Sequence, residues 1–416
     1  MIFSKRKKKE SDNTIQILFV SSTCSPRKYE EVQRTRTKKG IDPSQRLFSA
    51  FLTGLFEQDC AVCCLTALPY STSNTRKRIF RHTEEIIGNV TYKYLGFLNL
   101  KIIRILSLYF NTLIATLGWI RKTKNSPRIV ICDSLVYMCA HPARLIARLF
   151  GIKSVAYVTD YPSLATSIKK DCDFVRRKFQ KLFDYLADRD LKSYDGYILV
   201  AEKLQDLIQR SEKPSLVVED MIIAPVKQVE EITERPAGPK KIVYGGSLCK
   251  RFGVDKMVDA VHRIPQNDIV LELYGSGESV VYIESIAKLD PRIRYGGVVP
   301  FGTLLEIFEE ADLLINPRPG NEVFAAYSFP SKTLSYMLSG TPVLTTRIPG
   351  IPQDYYPFLY LFDEEDVESM SDRIRDVLSL DAVLLKNKGE EAYRYVAMNK
   401  NCRVQAEKIY HFVRKL

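Results

Sequence analysis

Residues 311–346 read ADLLINPRPGNEVFAAYSFPSKTLSYMLSGTPVLTT, a pattern of strand, loop, helix and second strand. The first apolar strand ends near Asn316, and Ser331 is placed to cap a helix that opens with Lys332. Gly340 is expected to end this helix in a left-handed conformation, just before the next buried strand. Because the start of a helix attracts anions and a lysine adds positive charge, this stretch predicts a phosphate site.

Short apolar runs alternate with amphipathic stretches along most of the chain. Candidate strands in the first half are 15–22, 61–68, 128–133, 154–159, 195–200 and 215–218, with a candidate helix at 44–57. Those in the second half are 242–244, 269–274, 293–299, 312–316 and 342–346. Runs of this length and composition are typical of parallel strands buried on both faces. The sequence therefore predicts an α/β fold with two Rossmann-like domains facing across a cleft.

A domain boundary is expected at residues 226–240, where apolar periodicity stops and charge, two prolines and a glycine accumulate. This linker would join a first domain at 14–225 to a second at 241–399. A helix at 400–416 could pack back onto the first domain, and residues 1–13 form a basic tail.

The composition narrows the function classes. The 416 residues carry 61 Lys and Arg against 49 Asp and Glu, a net charge of +12, which favours an acidic partner. No nucleic-acid-binding motif is present, so we expect no nucleic acid partner. Nine scattered cysteines and only four histidines predict reduced thiols, a cytoplasmic location and no metal centre. The Cys60/Cys63 pair is interpreted as part of a buried strand.

Glycine turns and cations follow two strands of the second half. Gly245 and Gly246 follow one strand, and Gly275 and Gly277 follow the next. Such glycines let a ligand approach the backbone, although tight turns need glycine in any case. Lys250 and Arg251 follow the first turn, where they could meet a diphosphate or remain solvated.

The second half resembles the nucleotide-sugar domain of GT-B glycosyltransferases, most closely the retaining family 4 type of bacterial capsule and exopolysaccharide synthesis. The resemblance is strong over residues 240–350, looser over the first half, and rests on the order of its motifs. These are GGSLCKRFG, LYGSGE, YGGVVP, ADLLINPR, YSFPSKTLSYMLSGTPVLTT and PGIP.

The resemblance implies specific roles for residues of this chain. The donor diphosphate and sugar would rest on Ser328, Phe329, Pro330, Ser331 and Lys332. Gly245, Gly246 and Arg251 would face the same diphosphate. Val299 would line the base pocket, bordered by Gly275 and Gly277. The reaction would be metal-independent glycosyl transfer with retention, and no cofactor is implied.

Two positions depart from the family pattern. Ser335 and Tyr327 stand where relatives commonly carry glutamates that contact the ribose, and Glu322, in a longer loop, could supply the first carboxylate. In the first half, Asp160 follows a strand at the place of a functional histidine or acid in relatives. We expect it to position the acceptor or act as a base, the alternative being a helix cap. The triplets 171–173 and 188–190 are interpreted as solvated helix charge.

Two helical stretches suggest a membrane surface. Residues 105–120 are nearly uncharged but shorter than a span, which predicts a buried or interfacial helix. Residues 169–186 combine an apolar stripe with six cations at 169–181, as in helices that bind anionic lipid, or as in a helix that covers the sheet. We therefore expect a peripheral enzyme at the inner face of the membrane, acting on a lipid-linked saccharide. The alternatives are a degenerate scaffold protein and a transferase that glycosylates diacylglycerol or phosphatidylinositol.

Overall fold

The computed structural model describes residues 14–37, 43–166, 174–208, 212–223, 238–265 and 267–416. The chain divides into two compact units. The first comprises Met1–Ile223 with Cys402–Leu416, and the second comprises Ala224–Asn401. The predicted tail, residues 1–13, lies outside the described residues, as does most of the predicted linker.

The first unit is built on an eight-stranded sheet of order β10-β9-β8-β7-β1-β2-β5-β4. All pairs in it are parallel except β4 with β5, and β3 pairs with β6 in a separate antiparallel ribbon. The strands are β1 Ile15–Ser21, β2 Cys60–Thr66, β3 Ile79–Phe80, β4 Thr83–Ile87, β5 Val90–Tyr94, β6 Phe97–Leu98, β7 Arg128–Asp133, β8 Ser154–Val158, β9 Gly196–Leu199 and β10 Ser215–Val217.

Helices cover this sheet. They are α1 Pro26–Thr35, α2 Pro43–Gly54, α3 Lys101–Lys122, α4 Tyr137–Leu149, α5 Pro162–Thr166, α6 Phe174–Leu191 and α7 Leu204–Ile208, with a 3-10 turn at Leu55–Glu57. A helix at Cys402–Arg414, the last in the chain, packs on α2. A Cβ on Gly54 would lie 2.1 Å from the carbonyl oxygen of Cys402, so only glycine permits this approach.

The second unit has an entirely parallel six-stranded sheet of order β13-β12-β11-β14-β15-β16. Its strands are β11 Lys240–Ser247, β12 Ile269–Ser276, β13 Ile293–Gly297, β14 Leu313–Asn316, β15 Val343–Thr345 and β16 Tyr360–Leu361. Its helices are α8 Val254–Arg263, α9 Val280–Ala287, α10 Phe301–Glu309, α11 Ser331–Ser339, α12 Val367–Ser379 and α13 Ala382–Asn399, and the last helix of the first unit is α14. Short 3-10 turns lie at Lys250–Phe252, Val323–Ala326 and Gln353–Phe358.

The predicted strands are all present, with ends that differ by a few residues. Sequence patterning missed β3 to β6 and β16, because β3, β6 and β16 are two residues long and β4 has an exposed, polar pattern. The antiparallel β4 also shows that the first sheet is not uniformly parallel.

The interpretation of residues 188–190 as solvated charge is wrong for Asp190. Its carboxylate is buried against α4, where it accepts a hydrogen bond from Arg144 Nε at 2.9 Å. Asp188 Oδ1 accepts the backbone N–H of Ser163 at 3.2 Å. Both carboxylates therefore hold the fold of the first unit together. The triplet 171–173 lies outside the described residues.

Candidate functional site

The glycines at the ends of β11 and β12 are explained first by strand packing. A Cβ on Gly275 would lie 1.8 Å from the carbonyl oxygen of Gly246, and one on Gly277 would lie 2.0 Å from that of Leu248. Gly275 also has φ of 137°, which L side chains rarely adopt. The two strands could not approach so closely with any other residue at these positions.

Gly245 and Gly246 have different roles. The N–H of Gly245 donates to the Tyr336 hydroxyl at 2.9 Å, so this amide is engaged within the protein rather than directed to a ligand. A Cβ on Gly246 would instead lie 3.0 Å from Lys332 Nζ. Gly246 is thus the glycine that leaves space beside the predicted phosphate lysine.

Helix α11 begins one residue earlier than expected. Ser331 is its first residue and Pro330 occupies the N-cap position without a side-chain capping bond, so the prediction of a Ser331 cap is wrong. The physical reason is that Pro330 already holds the extended backbone that a cap requires. Gly340 ends the helix with φ of 79°, as expected.

Lys332 projects from the first turn of α11 onto the end of β11. Its Nζ donates to the Tyr244 hydroxyl at 2.5 Å and lies 3.9 Å from the centroid of that ring. The Tyr244 hydroxyl in turn donates to the Ser247 carbonyl at 2.8 Å, which fixes its orientation. Burial lowers the pKa of Lys332 to about 7, and the positive charge of Arg318 contributes to this lowering. A bound anion would reverse that effect.

Two arginines complete a cationic cluster, which we define as Arg251, Arg318 and Lys332. The guanidinium carbons of Arg251 and Arg318 lie 5.7 Å and 4.7 Å from the ring centroid of Phe324. Arg318 is only 7% exposed, and it lies two residues after the end of β14. Two planar guanidinium groups and one ammonium group, near the ends of β11 and β14, form an environment suited to a diphosphate.

Sequence reasoning did not include Arg318 or its neighbour Asn316 among the site residues. Asn316 ends β14 fully buried, and within the described part of the chain neither polar atom of its side chain has a hydrogen-bond partner. The available signal was a polar residue at the end of an apolar strand, with an arginine two residues later. Buried amides without partners are costly, so Asn316 is a candidate for ligand contact.

The remaining predicted donor residues are spread along the second unit. Lys250 is exposed, and Val299 is partly buried after β13. Ser328 is partly buried, while Phe329 and Pro330 are buried beside α11. The backbone here is close to Gly350, whose Cβ would lie 2.4 Å from the Ser328 carbonyl oxygen.

Neither of the two positions at which a glutamate was expected by resemblance carries a carboxylate, and the candidate substitute, Glu322, does not supply one to α11. Ser335 is buried in the helix, Tyr327 is partly buried, and Glu322 is exposed in the loop. A different carboxylate meets that loop, because Glu365 Oε1 accepts the N–H of Gly320 at 2.7 Å. A groove of about 310 Å³ lies here, lined by Asn321, Arg347, Phe362, Asp363, Glu364 and Glu365.

In the first unit, Asp160 follows β8 and lies near Asp133 at the end of the neighbouring strand β7. Asp133 is 1% exposed, and its Oδ1 accepts the N–H of Leu135 at 3.0 Å. Burial, together with the nearby charge of Asp160, raises the pKa of Asp133 to about 7. The Ser134 hydroxyl donates to the Asp160 carbonyl at 3.4 Å. Asp160 therefore forms a pair of carboxyl groups with Asp133, which sequence reasoning missed.

Among the described residues, no group of three or more His, Cys, Asp or Glu side chains is placed to hold a metal ion. The thiols of Cys60 and Cys63 lie in β2, where burial raises their pKa to about 12 and about 11. They behave as core residues of the sheet.

Comparison with known proteins identifies the second unit. Residues 239–380 match the family described as Glycosyl transferases group 1. No curated protein sequence matches the chain. Residues 239–380 are therefore a glycosyl transferase domain.

Solved structures share the fold of nearly the whole chain. A sucrose-phosphate synthase from Thermosynechococcus elongatus is 15% identical with a TM-score of 0.67, over 96% of this chain and 98% of that one. Anabaena HepE in complex with UDP is 10% identical with a TM-score of 0.60, over 96% and 100%. A structure described as trehalose-6-phosphate from Escherichia coli bound with UDP-2-fluoro glucose is 10% identical with a TM-score of 0.59, over 96% and 99%. The chain has the GT-B fold of two Rossmann-like domains.

Proposed function

We propose that this chain is a retaining glycosyltransferase that moves a sugar from a nucleotide-diphosphate sugar to a saccharide acceptor. The observation that carries the proposal is the cluster of Arg251, Arg318 and Lys332 inside the matched glycosyl transferase domain. The lowered pKa of Lys332 supports it, because a site that destabilises its own cation is suited to an anionic ligand.

The cluster would act by electrostatics. When the bond between the sugar anomeric carbon and the diphosphate oxygen breaks, negative charge grows on the leaving diphosphate. Preorganised cations and the start of α11 stabilise that charge, so little covalent chemistry is required of the protein. The acceptor oxygen forms the new bond on the same face, and its proton passes to an oxygen of the departing phosphate. No metal or cofactor is part of this proposal.

The acceptor site is assigned to the first unit. Asp160 and Asp133 would orient the acceptor hydroxyl, with Asp133 able to hold a proton near neutral pH. We further propose that the acceptor is a lipid-linked saccharide for a surface polysaccharide, handled at the cytoplasmic face of the membrane. The support is the order of the family motifs together with exposed apolar side chains on α3 and α6 of the first unit.

The test is transfer from a panel of UDP-, GDP- and ADP-sugars, measured as release of the nucleoside diphosphate. Lys332→Ala should remove most turnover while the circular dichroism spectrum stays that of the wild type. Lys288→Ala is the matched control, because Lys288 is an exposed lysine of the second unit that is not among the predicted donor residues. Absence of turnover with every donor at high protein concentration would contradict the enzyme proposal, and unchanged turnover in Lys332→Ala would place the phosphate site elsewhere.

A second candidate is a catalytically degenerate scaffold for another transferase. It is favoured by Ser335 and Tyr327 at glutamate positions and by the exposed place of Glu322. Titration calorimetry with UDP and GDP separates the two, since a scaffold that has lost its donor pocket binds neither. Direct transfer to lipid is distinguished by supplying diacylglycerol and phosphatidylinositol as acceptors.

A further inference from the structure

Helix α3 carries an apolar stripe on its outer face. Ile102, Leu106, Phe110 and Ile114 follow one another at four-residue spacing and are 73%, 51%, 58% and 68% exposed. Side chains four apart lie on one face of a helix, so these four form a continuous ridge. Exposed apolar stripes of this kind mark surfaces that bind another apolar phase.

The opposite face of α3 belongs to the core of the first unit. Leu108, Thr112, Thr116, Trp119 and Ile120 are buried on it. The Asn111 side chain donates to the Gly96 carbonyl at 2.7 Å, and the helix packs along α4. Residues 102–122 are long and apolar enough to cross a membrane by length and composition, with a mean hydropathy of 1.4. A transmembrane orientation of α3 would break these contacts. An orientation parallel to the membrane surface therefore fits the structure better.

A strongly basic segment adjoins this helix. Residues 76–82 read RKRIFRH, and all are exposed except Phe80. They include β3, which pairs with β6, the strand that leads directly into α3. Ile79, in the middle of the four cations, is 61% exposed. Neither this segment nor α3 contains an aspartate or glutamate, and α3 adds cations at both of its ends.

An open groove lies between α3 and the basic segment, residues 76–82. Its volume is about 540 Å³, and its apolar wall includes Phe80, Phe97, Ile114, Ala115 and Gly118. A Cβ on Gly118 would meet no atom within 4 Å, which shows how much space the groove leaves along α3. Lys93 and Lys122 line the same groove, so cationic side chains accompany the apolar wall.

We propose that the outer face of α3, together with β6 and residues 76–82, docks on an anionic phospholipid bilayer. The apolar ridge enters the boundary between headgroups and acyl chains, and the arginines and lysine of residues 76–82 meet lipid phosphates. The groove offers space for an acyl chain between them. The inference deepens the proposed function by naming the surface that would hold the enzyme at a lipid-linked acceptor. It names a surface of the first unit other than residues 169–181, part of which lies outside the described residues.

The charge pattern is what selects a bilayer over other occupants. A polybasic surface gains about 1 kcal/mol per Lys or Arg near an anionic membrane, which is about fivefold in affinity per cation. The attraction falls off within the Debye length, about 10 Å at 0.1 M salt and about 3 Å at 1 M. Residues 76–82 and α3 carry cations and no acids of their own, and Glu84, which follows the segment, is paired with Lys93 at 3.7 Å, so the surface is complementary to anionic lipid.

The experiment is cosedimentation of the full-length protein with vesicles. One set contains phosphatidylcholine and phosphatidylglycerol in equal parts, and the other contains phosphatidylcholine alone. We expect binding to the first set that weakens steeply between 0.1 M and 1 M salt. Equal binding to both sets, or no binding to either, would overturn the proposal.

Two variants, one of the apolar ridge and one of residues 76–82, test whether these residues form the membrane-binding surface. The ridge variant carries Ile102→Gln, Phe110→Gln and Ile114→Gln. Its control carries Val281→Gln, Leu289→Gln and Met398→Gln, three apolar residues of the second unit that are 77%, 74% and 71% exposed. We expect at least tenfold weaker vesicle binding in the ridge variant and wild-type binding in the control. Equal losses in the two would refute the assignment.

The charge variant carries Arg76→Gln, Arg78→Gln and Arg81→Gln. Its control carries Lys288→Gln, Arg294→Gln and Arg394→Gln, with the same change in net charge. About 100-fold weaker binding is expected for the first and little change for the second, from about fivefold per cation. Dimerisation of the wild type that the ridge variant abolishes would assign the ridge to a second copy of the chain and would overturn the proposal. UDP titration of the same proteins separates membrane binding from the proposed transferase function. The ridge and charge variants should bind UDP as the wild type does, even if no donor is turned over.

Discussion

The lowered pKa of Lys332 predicts that nucleotide binding depends on pH in a defined way. In the free protein the pKa is about 7, so half of the molecules carry a charged Lys332 at pH 7 and about one in 100 at pH 9. A diphosphate in contact with the ammonium group favours the charged form, so binding takes up a proton. If the bound lysine stays protonated, the dissociation constant for UDP rises about 50-fold between pH 7 and pH 9.

Titration calorimetry with UDP measures this effect directly. The terminal phosphate of UDP has a second pKa of about 6, so its own charge is nearly constant over the chosen range. Repeating the titration at pH 8 in two buffers of different ionisation enthalpy should show uptake of about 0.9 proton. Lys332→Met should bind UDP more weakly at pH 7 and show no such pH dependence, whereas Lys288→Met should retain it. A flat wild-type profile, or an unchanged slope in Lys332→Met, would refute the placement of the diphosphate at Lys332.

The same group makes a prediction about stability in the absence of nucleotide. The folded-state pKa of Lys332 lies below the value of about 10.4 in an unfolded chain, so the unfolded state binds more protons between these values. The destabilising contribution of Lys332 is complete below pH 7 and disappears as the pH rises toward 10. Lys332→Met should therefore raise the melting temperature at pH 6.5 and lose this advantage at pH 9.5, as differential scanning calorimetry can show.

Three further predictions concern other residues. Arg318→Gln should weaken UDP binding about tenfold or more by titration calorimetry, and an unchanged affinity would exclude Arg318 from the cationic cluster's function. Gly275→Ala should lower the free energy of unfolding by about 3 kcal/mol, because its Cβ would lie 1.8 Å from the Gly246 carbonyl oxygen, whereas Gly118→Ala should be tolerated in the same urea titration. Arg144→Met should cost about 3 to 5 kcal/mol by leaving Asp190 buried without its cation, and the added change Asp190→Leu should restore most of that loss.

Much of the second unit could be predicted because its signals are local. The apolar run that ends at Asn316, the helix from Ser331 and the left-handed Gly340 each follow from neighbouring residues. The helix boundary was missed by one residue, because a serine resembles a cap in sequence whether or not its backbone is extended. Lys332 was predicted as a phosphate ligand from its position, while its contact with Tyr244 depends on two distant segments.

The features that sequence could not supply all arise from long-range contacts. Arg318 and Arg251 are 67 positions apart in the chain, and only the fold places both beside Phe324. The burial of Asp133 and Asp190 likewise depends on neighbouring strands and helices, so it could not be deduced from their own segments. Helix α3 shows the same limit, since its composition alone did not reveal which face is exposed.

The contact between α14 and α2 has a consequence for biosynthesis. Gly54 is made early, but its packing partner at Cys402 leaves the ribosome only after all of Ala224–Asn401 has been synthesised. The first unit therefore cannot complete its core during its own translation, and the α2 surface stays unprotected in the meantime. A chain truncated after residue 401 should keep the second unit folded and leave the first prone to proteolysis, because α14 closes the core of the first unit.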